Sequence, residues 1–406
     1  MKKILMVFLL LVTSISISGC RRGNILLLLN WGEYINDEIV EIFEERYNCT
    51  VSISLADSNE LFYSKVMSGT TAFDLVIPSE YMIQKMIERD LLQEIDFTKL
   101  ENYNYDAFTD SVRGIIEYME DNVIEGFKNY QVPYFWGTFG IMYNQRKAGL
   151  ADAIKEHEWD TLFDKDNLPT NTRTGMYNVP RFAYAAASFA LGKSPNTFDD
   201  TQASLVSSKI IQGAFTHWGT DMLKKSIRAN NLDMAFLYTG DFLDTLFIDL
   251  ADGISRDEIR AMYELYIPDN TIAFMDSLVI PKKARHVDLA HQFLDFMLEP
   301  EIAFLNASVV GYATTLQETF DLIAEYQEGD ELIDIDENDV ESLAAAVAED
   351  EWRIAWRDAY LEYYAAPSDP TKRFKGTPLA NFEPKILDRI NILVNNAKDG
   401  FAEELD

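Results

Sequence analysis

From Ile25 to Ile77 the sequence alternates short apolar runs with helix signatures, and that rhythm leaves few folds open. Ile25–Leu29 is an unbroken apolar run, short enough for a strand buried on both faces. Asn36-Asp37-Glu38 then opens a helix with a capping side chain and acids in its first turn, and Ile39, Phe43 and Tyr47 recur along one face. Val51–Leu55 alternates like a strand. Asp57-Ser58-Asn59-Glu60 starts a second helix that carries Phe62 and Val66 on one face and stops at Ser68-Gly69, and Phe73–Ile77 is a third apolar run. Strand, helix, strand, helix, strand in that order predicts a doubly wound parallel sheet of the α/β class.

In such a sheet, ligands bind in the crevice beyond the carboxyl ends of the strands. Two loops fall there. Asn30-Trp31-Gly32-Glu33-Tyr34 follows the first strand, and Pro78-Ser79-Glu80-Tyr81 follows the third and leads into a helix over Met82–Met86 and beyond. Aromatic faces attract cations and a carboxylate accepts hydrogen bonds from ammonium groups, so the first loop suits an organic cation, with Gly32 letting the backbone come close. The plainer alternative packs Trp31 and Tyr34 under the loop with Glu33 in solvent, and uses Ser79 only as a helix cap.

Farther on, Val132-Pro133-Tyr134-Phe135-Trp136-Gly137-Thr138 interrupts the rhythm and reads as a domain crossing or a packed corner, followed by a strand over Phe139–Tyr143. Residues 150–270 read as a second α/β unit, with an alanine-rich helix Phe182–Leu191, and a strand Met234–Tyr238 running into Thr239-Gly240-Asp241. Ile272–Ile280 follows, carrying Phe274-Met275-Asp276-Ser277, then a helix Val287–Leu298 and a loop with Gly311-Tyr312. Residues 320–350 are strongly acidic; Asp334, Asp336 and Asn338 imitate a calcium loop, but Asp339 stands where that loop needs Gly and Ala345 where it needs Glu. A solvated insertion is expected there, with helices over roughly Ser342–Tyr364 and, after a Pro-rich loop at 367–378, Pro384–Asn396.

The chain has 406 residues, enough for two domains, and a formal charge of −32 that argues against nucleic acid as a partner and favours attraction of cations. Lys2 and Lys3 followed by the apolar stretch Ile4–Ile17 read as an export signal over residues 1–19, and Ile17-Ser18-Gly19-Cys20 resembles a bacterial lipobox, which makes Cys20 the expected lipid-carrying residue. With Cys20 acylated, Cys49 has no intramolecular disulfide partner and reads as a small buried residue. There is no phosphate loop, no Gly-x-Ser-x-Gly and no His-Glu-x-x-His, and His286 and His291 are five apart, off the spacing of a shared helix face. Neither catalysis nor a metal or cofactor has a positive signal, although paired carboxylates for glycoside hydrolysis are a tertiary arrangement that spacing does not reveal.

Taken together, Asn30-Trp31-Gly32-Glu33-Tyr34, Asp74-Leu75-Val76-Ile77-Pro78-Ser79-Glu80-Tyr81-Met82, the 132–138 segment, Met275-Asp276-Ser277-Leu278-Val279-Ile280-Pro281 and Gly311-Tyr312 resemble, in order and at similar spacing, the spermidine/putrescine-binding proteins of bacterial ABC importers. The resemblance spans about residues 24–316 and is poor over the last ninety residues apart from Trp352–Tyr364. It implies a two-lobed periplasmic-binding-protein fold of type II, each lobe a doubly wound, mainly parallel sheet, with the ligand in the interlobe cleft; one lobe would comprise 24–136 plus 276–318 and the other 137–275 plus 319–406. It assigns Trp31, Gly32, Glu33 and Tyr34 to one wall with Ser79 and Tyr81, sets Tyr238 and Phe274 where the family has tryptophans, and makes Asp276 the central carboxylate and Tyr312 the late tyrosine, with either Asp241 or Glu80 standing in for acids the family has elsewhere or a ligand of fewer charges. It further implies a polyamine ligand (putrescine or spermidine), the permease subunits of an ABC importer as partner, and a monomer held outside the cytoplasm by its lipid. One departure stands out: the family usually has one or two acids just before the helix that here begins near Phe182, and this chain reads Asn178-Val179-Pro180-Arg181. The alternatives are a binding protein of the same fold for another small organic solute and a secreted hydrolase.

Overall fold

Strand β1 (Asn24–Asn30) pairs in parallel with β2 (Cys49–Leu55) on one side and β3 (Leu75–Val76) on the other, giving the order β2-β1-β3. The connecting helices begin and end where their side chains dictate. Helix α1 (Asp37–Tyr47) is capped by Asn36, whose side chain accepts the Glu38 N–H, and ends on Asn48 in the left-handed conformation at φ 46°. Helix α2 (Asn59–Ser68) is capped by Ser58 and stops at Gly69, φ 61°. Helix α3 (Glu80–Glu88) follows β3 after Ile77, Pro78 and Ser79. This is the computed structural model of the chain, and it describes residues 24–326, 353–364 and 376–400. The expected export signal 1–19, Cys20, the rejected calcium loop and most of the acidic segment lie outside the described residues; its first part, Gln317–Glu325, is a helix with Ile323 buried.

The second sheet is built on one long strand. β4 (Val132–Asn144) has all thirteen residues buried, and the crowded aromatic segment 132–138 is continuous in it with 139–143. Pro133, which lacks an N–H, sits where the pairing shifts register between Pro133 and Phe135. In chain order the other strands are β5 (Thr174–Tyr177), β6 (His217–Gly219), β7 (Met234–Tyr238), β8 (Tyr263–Tyr266), β9 (Thr271–Leu278), β10 (Ala313–Thr314) and β11 (Gly376–Pro378). The sheet order is β11-β9-β4-β7-β5-β6, with β8 and β10 also on β4. Every antiparallel pair among these strands includes β4, whereas β5 with β6, β5 with β7, and β11 with β9 are parallel.

Two bridges join the sheets, Val76 to Val279 and Ser79 to Asp276. The end of β9 therefore lies against the carboxyl end of β3, which brings Asp276 to the loop 78–81 across nearly two hundred residues of sequence. The helix Pro180–Ala190 packs on β5 and β9, and the helices Asp200–Gly213 and Pro384–Lys398 pack on it and on each other. Cys49, the first residue of β2, is half-buried rather than fully enclosed. No helix among the described residues is long and apolar enough to cross a membrane.

Candidate ligand-binding site

Asp276 is 5 % exposed, and its two carboxylate oxygens are held by different loops. The Tyr34 hydroxyl donates to Oδ2 at 2.7 Å and the Ser79 hydroxyl to Oδ1 at 2.6 Å. Ser79 occupies the N-cap position of α3 without capping it with its side chain. Its hydroxyl is committed to Asp276, and Asn59 fixes it there: Asn59 Nδ2 donates to Ser79 Oγ at 2.9 Å and accepts the Ser79 N–H on Oδ1 at 3.0 Å. Tyr34 is anchored in the same way. Its carbonyl accepts the Tyr134 hydroxyl at 2.7 Å, which in turn accepts Asn306 Nδ2 at 3.0 Å. Burial raises the Asp276 carboxyl to about 6 against the two hydroxyl hydrogen bonds that favour its ionised form. Burial, reinforced by Asp276, holds the Tyr34 hydroxyl well above its usual range, so it remains a donor. The result is a carboxylate oriented by neutral donors, with no ion-pair partner among the described residues.

Aromatic rings surround it. Tyr312 meets Tyr34 edge-on at 5.0 Å and Phe274 at 5.9 Å, and Tyr238 meets Phe274 at 5.0 Å and Phe139 at 3.9 Å. Glycine makes the closest approaches possible. A Cβ at Gly137 would lie 2.9 Å from the Phe274 ring, and one at Gly240 would lie 2.3 Å from the Tyr312 ring. Two further acids sit at the edge of this cluster. Glu80 is 1 % exposed, accepts the Met275 N–H at 2.9 Å and is pushed by burial up to about 8, so it is largely protonated at neutral pH. Asp241 is raised by burial to about 6 and faces Lys224 at 3.6 Å, a lysine that also pairs with Asp244 at 2.7 Å.

A buried, donor-oriented carboxylate in an aromatic cluster at the carboxyl end of a parallel sheet is the layout of a binding pocket for a small cationic solute. Residues 38–332 match the family described as bacterial extracellular solute-binding protein. The chain belongs to that family. The putrescine-binding periplasmic protein SpuD of Pseudomonas aeruginosa is 26 % identical over 322 residues, covering 77 % of this chain and 84 % of that protein. The putrescine-binding periplasmic protein PotF of Escherichia coli is 28 % identical over 306 residues, covering 70 % and 76 %. Among solved structures, the spermidine/putrescine ABC transporter substrate-binding protein PotD of Streptococcus pneumoniae superposes with a TM-score of 0.66 at 25 % identity, covering 93 % of this chain and 99 % of that one. The fold is thus the two-lobed type II architecture of periplasmic binding proteins.

Within this solute-binding protein the residues singled out by sequence separate into groups. Tyr34, Ser79, Tyr238, Phe274, Asp276 and Tyr312 come together around the carboxylate, and Glu80 and Tyr81, buried, begin α3 next to Ser79. Trp31 is half-buried, donates its indole N–H to the Ile77 carbonyl at 2.8 Å and packs on Phe62 at 4.7 Å. Gly32 and Glu33 are exposed; a Cβ at Gly32 would meet nothing within 4 Å, and the left-handed residue of the loop is Glu33 at φ 51°. Sequence reading passed over Asn59, Tyr134, Phe139, Tyr177 and Phe182. Tyr177 and Phe182 meet Tyr238 at 5.3 and 5.8 Å, and the only sign of them in the sequence was their aromaticity at a strand end and a helix start. Among the described residues, no group of three or more His, Cys, Asp or Glu side chains is placed to hold a metal ion.

Proposed function

We propose that this solute-binding protein captures short linear amines of the polyamine class outside the cytoplasm and delivers them to the permease subunits of an ABC importer. The observation that carries the reading is Asp276, a buried carboxylate whose oxygens are oriented by Tyr34 and Ser79 and whose surroundings are aromatic. Methylene chains lie against aromatic faces and ammonium groups pair with carboxylates, so this chemistry matches an alkylamine. The relatives named above as putrescine- and spermidine-binding proteins support the same class. In this reading Trp31, Gly32, Glu33, Tyr34, Ser79, Glu80, Tyr81, Tyr238, Asp241, Phe274, Asp276 and Tyr312 line the pocket, with the exposed Glu33 at its rim. The lobes are 24–136 plus 276–318 and 137–275 plus 319–406, the protein is a monomer tethered through lipid on Cys20, and it performs no catalysis of its own.

The number of free carboxylates sets the preferred ligand. Spermidine carries three ammonium groups and putrescine two, and a buried ammonium without a partner is costly. Asp276 is available, Glu80 is largely protonated and Asp241 is already paired with Lys224. Putrescine should therefore outcompete spermidine. A thermal-shift screen with diamines, triamines and unrelated solutes, followed by competition calorimetry, tests this, since a ligand that binds only the folded state raises the melting temperature. Spermidine winning by tenfold, about 1.4 kcal/mol, would require acids beyond those named. No stabilisation by any amine would remove the amine reading altogether.

A further inference from the structure

Arg181 is the second residue of the helix Pro180–Ala190 and is 7 % exposed. Its guanidinium lies 4.1 Å from the centroid of the Tyr81 ring and 5.5 Å from that of Phe382. Its Nε and Nη2 are buried without any hydrogen-bond partner, and among the described residues it has no ion-pair partner. Each of these features is unfavourable to the fold. A buried cation loses hydration, unpaired buried donors cost free energy, and a positive charge in the first turn opposes the helix dipole. Stacking on Tyr81 offsets only part of that. Nε–H and Nη2–H are also the two donors that point side by side from one edge of a guanidinium, the fork that grips a carboxylate through two parallel hydrogen bonds.

The position matters as much as the vacancy. Tyr81 and Glu80 belong to the loop and helix start that also carry Ser79, and Glu80 feels the charge of both Asp276 and Arg181. The remaining acids near Arg181 do not neutralise it: Glu80 hydrogen-bonds to the Met275 N–H, and Glu60 is exposed. At neutral pH Asp276 is therefore an anion and Arg181 a cation that each lack an ion-pair partner among the described residues. A diamine satisfies the first and is repelled by the second.

We propose that the pocket takes a linear amine whose far end carries a hydrogen-bond-accepting group, best a carboxylate, with the ammonium on Asp276 and the acceptor on the Nε–H and Nη2–H fork of Arg181. This rests on the amine reading of Asp276 and adds the second end of the ligand: a linear amine with an acceptor at its far end binds the same site more tightly than the plain diamine.

Four probes of one carbon frame separate the two ends. Butylamine has only the ammonium, butyrate only the carboxylate, 4-aminobutanoate both, and putrescine two ammonium groups. Calorimetry on the protein should give 4-aminobutanoate at least tenfold tighter binding than butylamine, and tighter binding than putrescine. Arg181→Gln should remove the advantage of 4-aminobutanoate over butylamine. Arg181→Glu should reverse the order so that putrescine binds at least tenfold tighter than it does to the unmodified protein, a gain that misfolding cannot produce. If butylamine and putrescine bind but 4-aminobutanoate shows no advantage over butylamine, the acceptor subsite is overturned while the amine reading stands. If none of the amines binds, both fall.

Discussion

At the scale of single residues, the distinctive chemistry is three buried carboxyls whose pKa values are raised in the folded state. Asp276 and Asp241 lie near 6 and Glu80 near 8, each pushed up chiefly by burial. An ammonium pairs with the ionised form of Asp276, so amine affinity should rise as pH passes upward through about 6 and fade below it; calorimetric titrations at pH 5, 6, 7 and 8 would trace this. Asp276→Ala should weaken amine binding by about 2–5 kcal/mol, the usual loss on truncating one partner of a desolvated charge pair. Unchanged affinity in that variant would take Asp276 out of the site. Stability runs in the opposite sense to affinity. A carboxyl that holds its proton more tightly when folded contributes most below its ordinary unfolded pKa, and the contribution is lost as pH rises through the folded value. The free protein should lose melting temperature as pH climbs through about 6 and on through about 8, and Glu80→Gln should flatten the upper part of that decline.

At the scale of elements, β4 and β9 carry the site between them. Phe135 pairs with Asp276 and Gly137 with Phe274 in their antiparallel register, so a strand's alternation decides which aromatic faces which wall. Helix packing adds a second constraint at Gly240, in the first turn of the helix Thr239–Ala251. Replacing a helical glycine by alanine ordinarily gains up to about 1 kcal/mol. Here the new Cβ would fall 2.3 Å from the Tyr312 ring, so the clash outweighs propensity. Gly240→Ala should cost about 1–3 kcal/mol in urea unfolding, in line with overpacked cores, and should weaken ligand binding by displacing Tyr312. A stabilised variant would show that Tyr312 moves away freely.

At the scale of the whole molecule, the two proposed lobes touch through single side chains as well as through the strands they share. The Arg181 guanidinium lies over Tyr81, Asn381 N donates to Gln84 Oε1 at 2.7 Å, and Asn196 Nδ2 donates to the Tyr118 hydroxyl at 3.1 Å. None of these is extensive, and each would part if the lobes turned about β4 and β9, near Phe135–Thr138 and Ala273–Asp276. Hinged closure around ligand is the motion such an architecture permits. Small-angle scattering should show the radius of gyration falling when the protein is saturated with a bound amine. An identical radius with and without ligand would mean that the lobes do not open.

The sequence alone was enough for the β1–β3 unit and its helices, because strand burial and helix capping are local: Asn36, Ser58 and Gly69 act within a few residues of themselves. The resemblance singled out Asp276, Tyr34 and Ser79, but not what they do for one another. Ser79 looks like a cap in the chain and is a hydrogen-bond donor to Asp276 in the fold, since only the bridge between β9 and the end of β3 brings the two together. The segment 132–138 reads as a domain crossing or a packed corner, and only the sheet shows how Pro133 is absorbed in a register shift and how Gly137 admits Phe274. Arg181 stood out in the sequence only as a departure. Its burial, its place over Tyr81 and its two vacant donors are tertiary facts, because a charge's partners are set by what the fold packs around it and not by its neighbours along the chain.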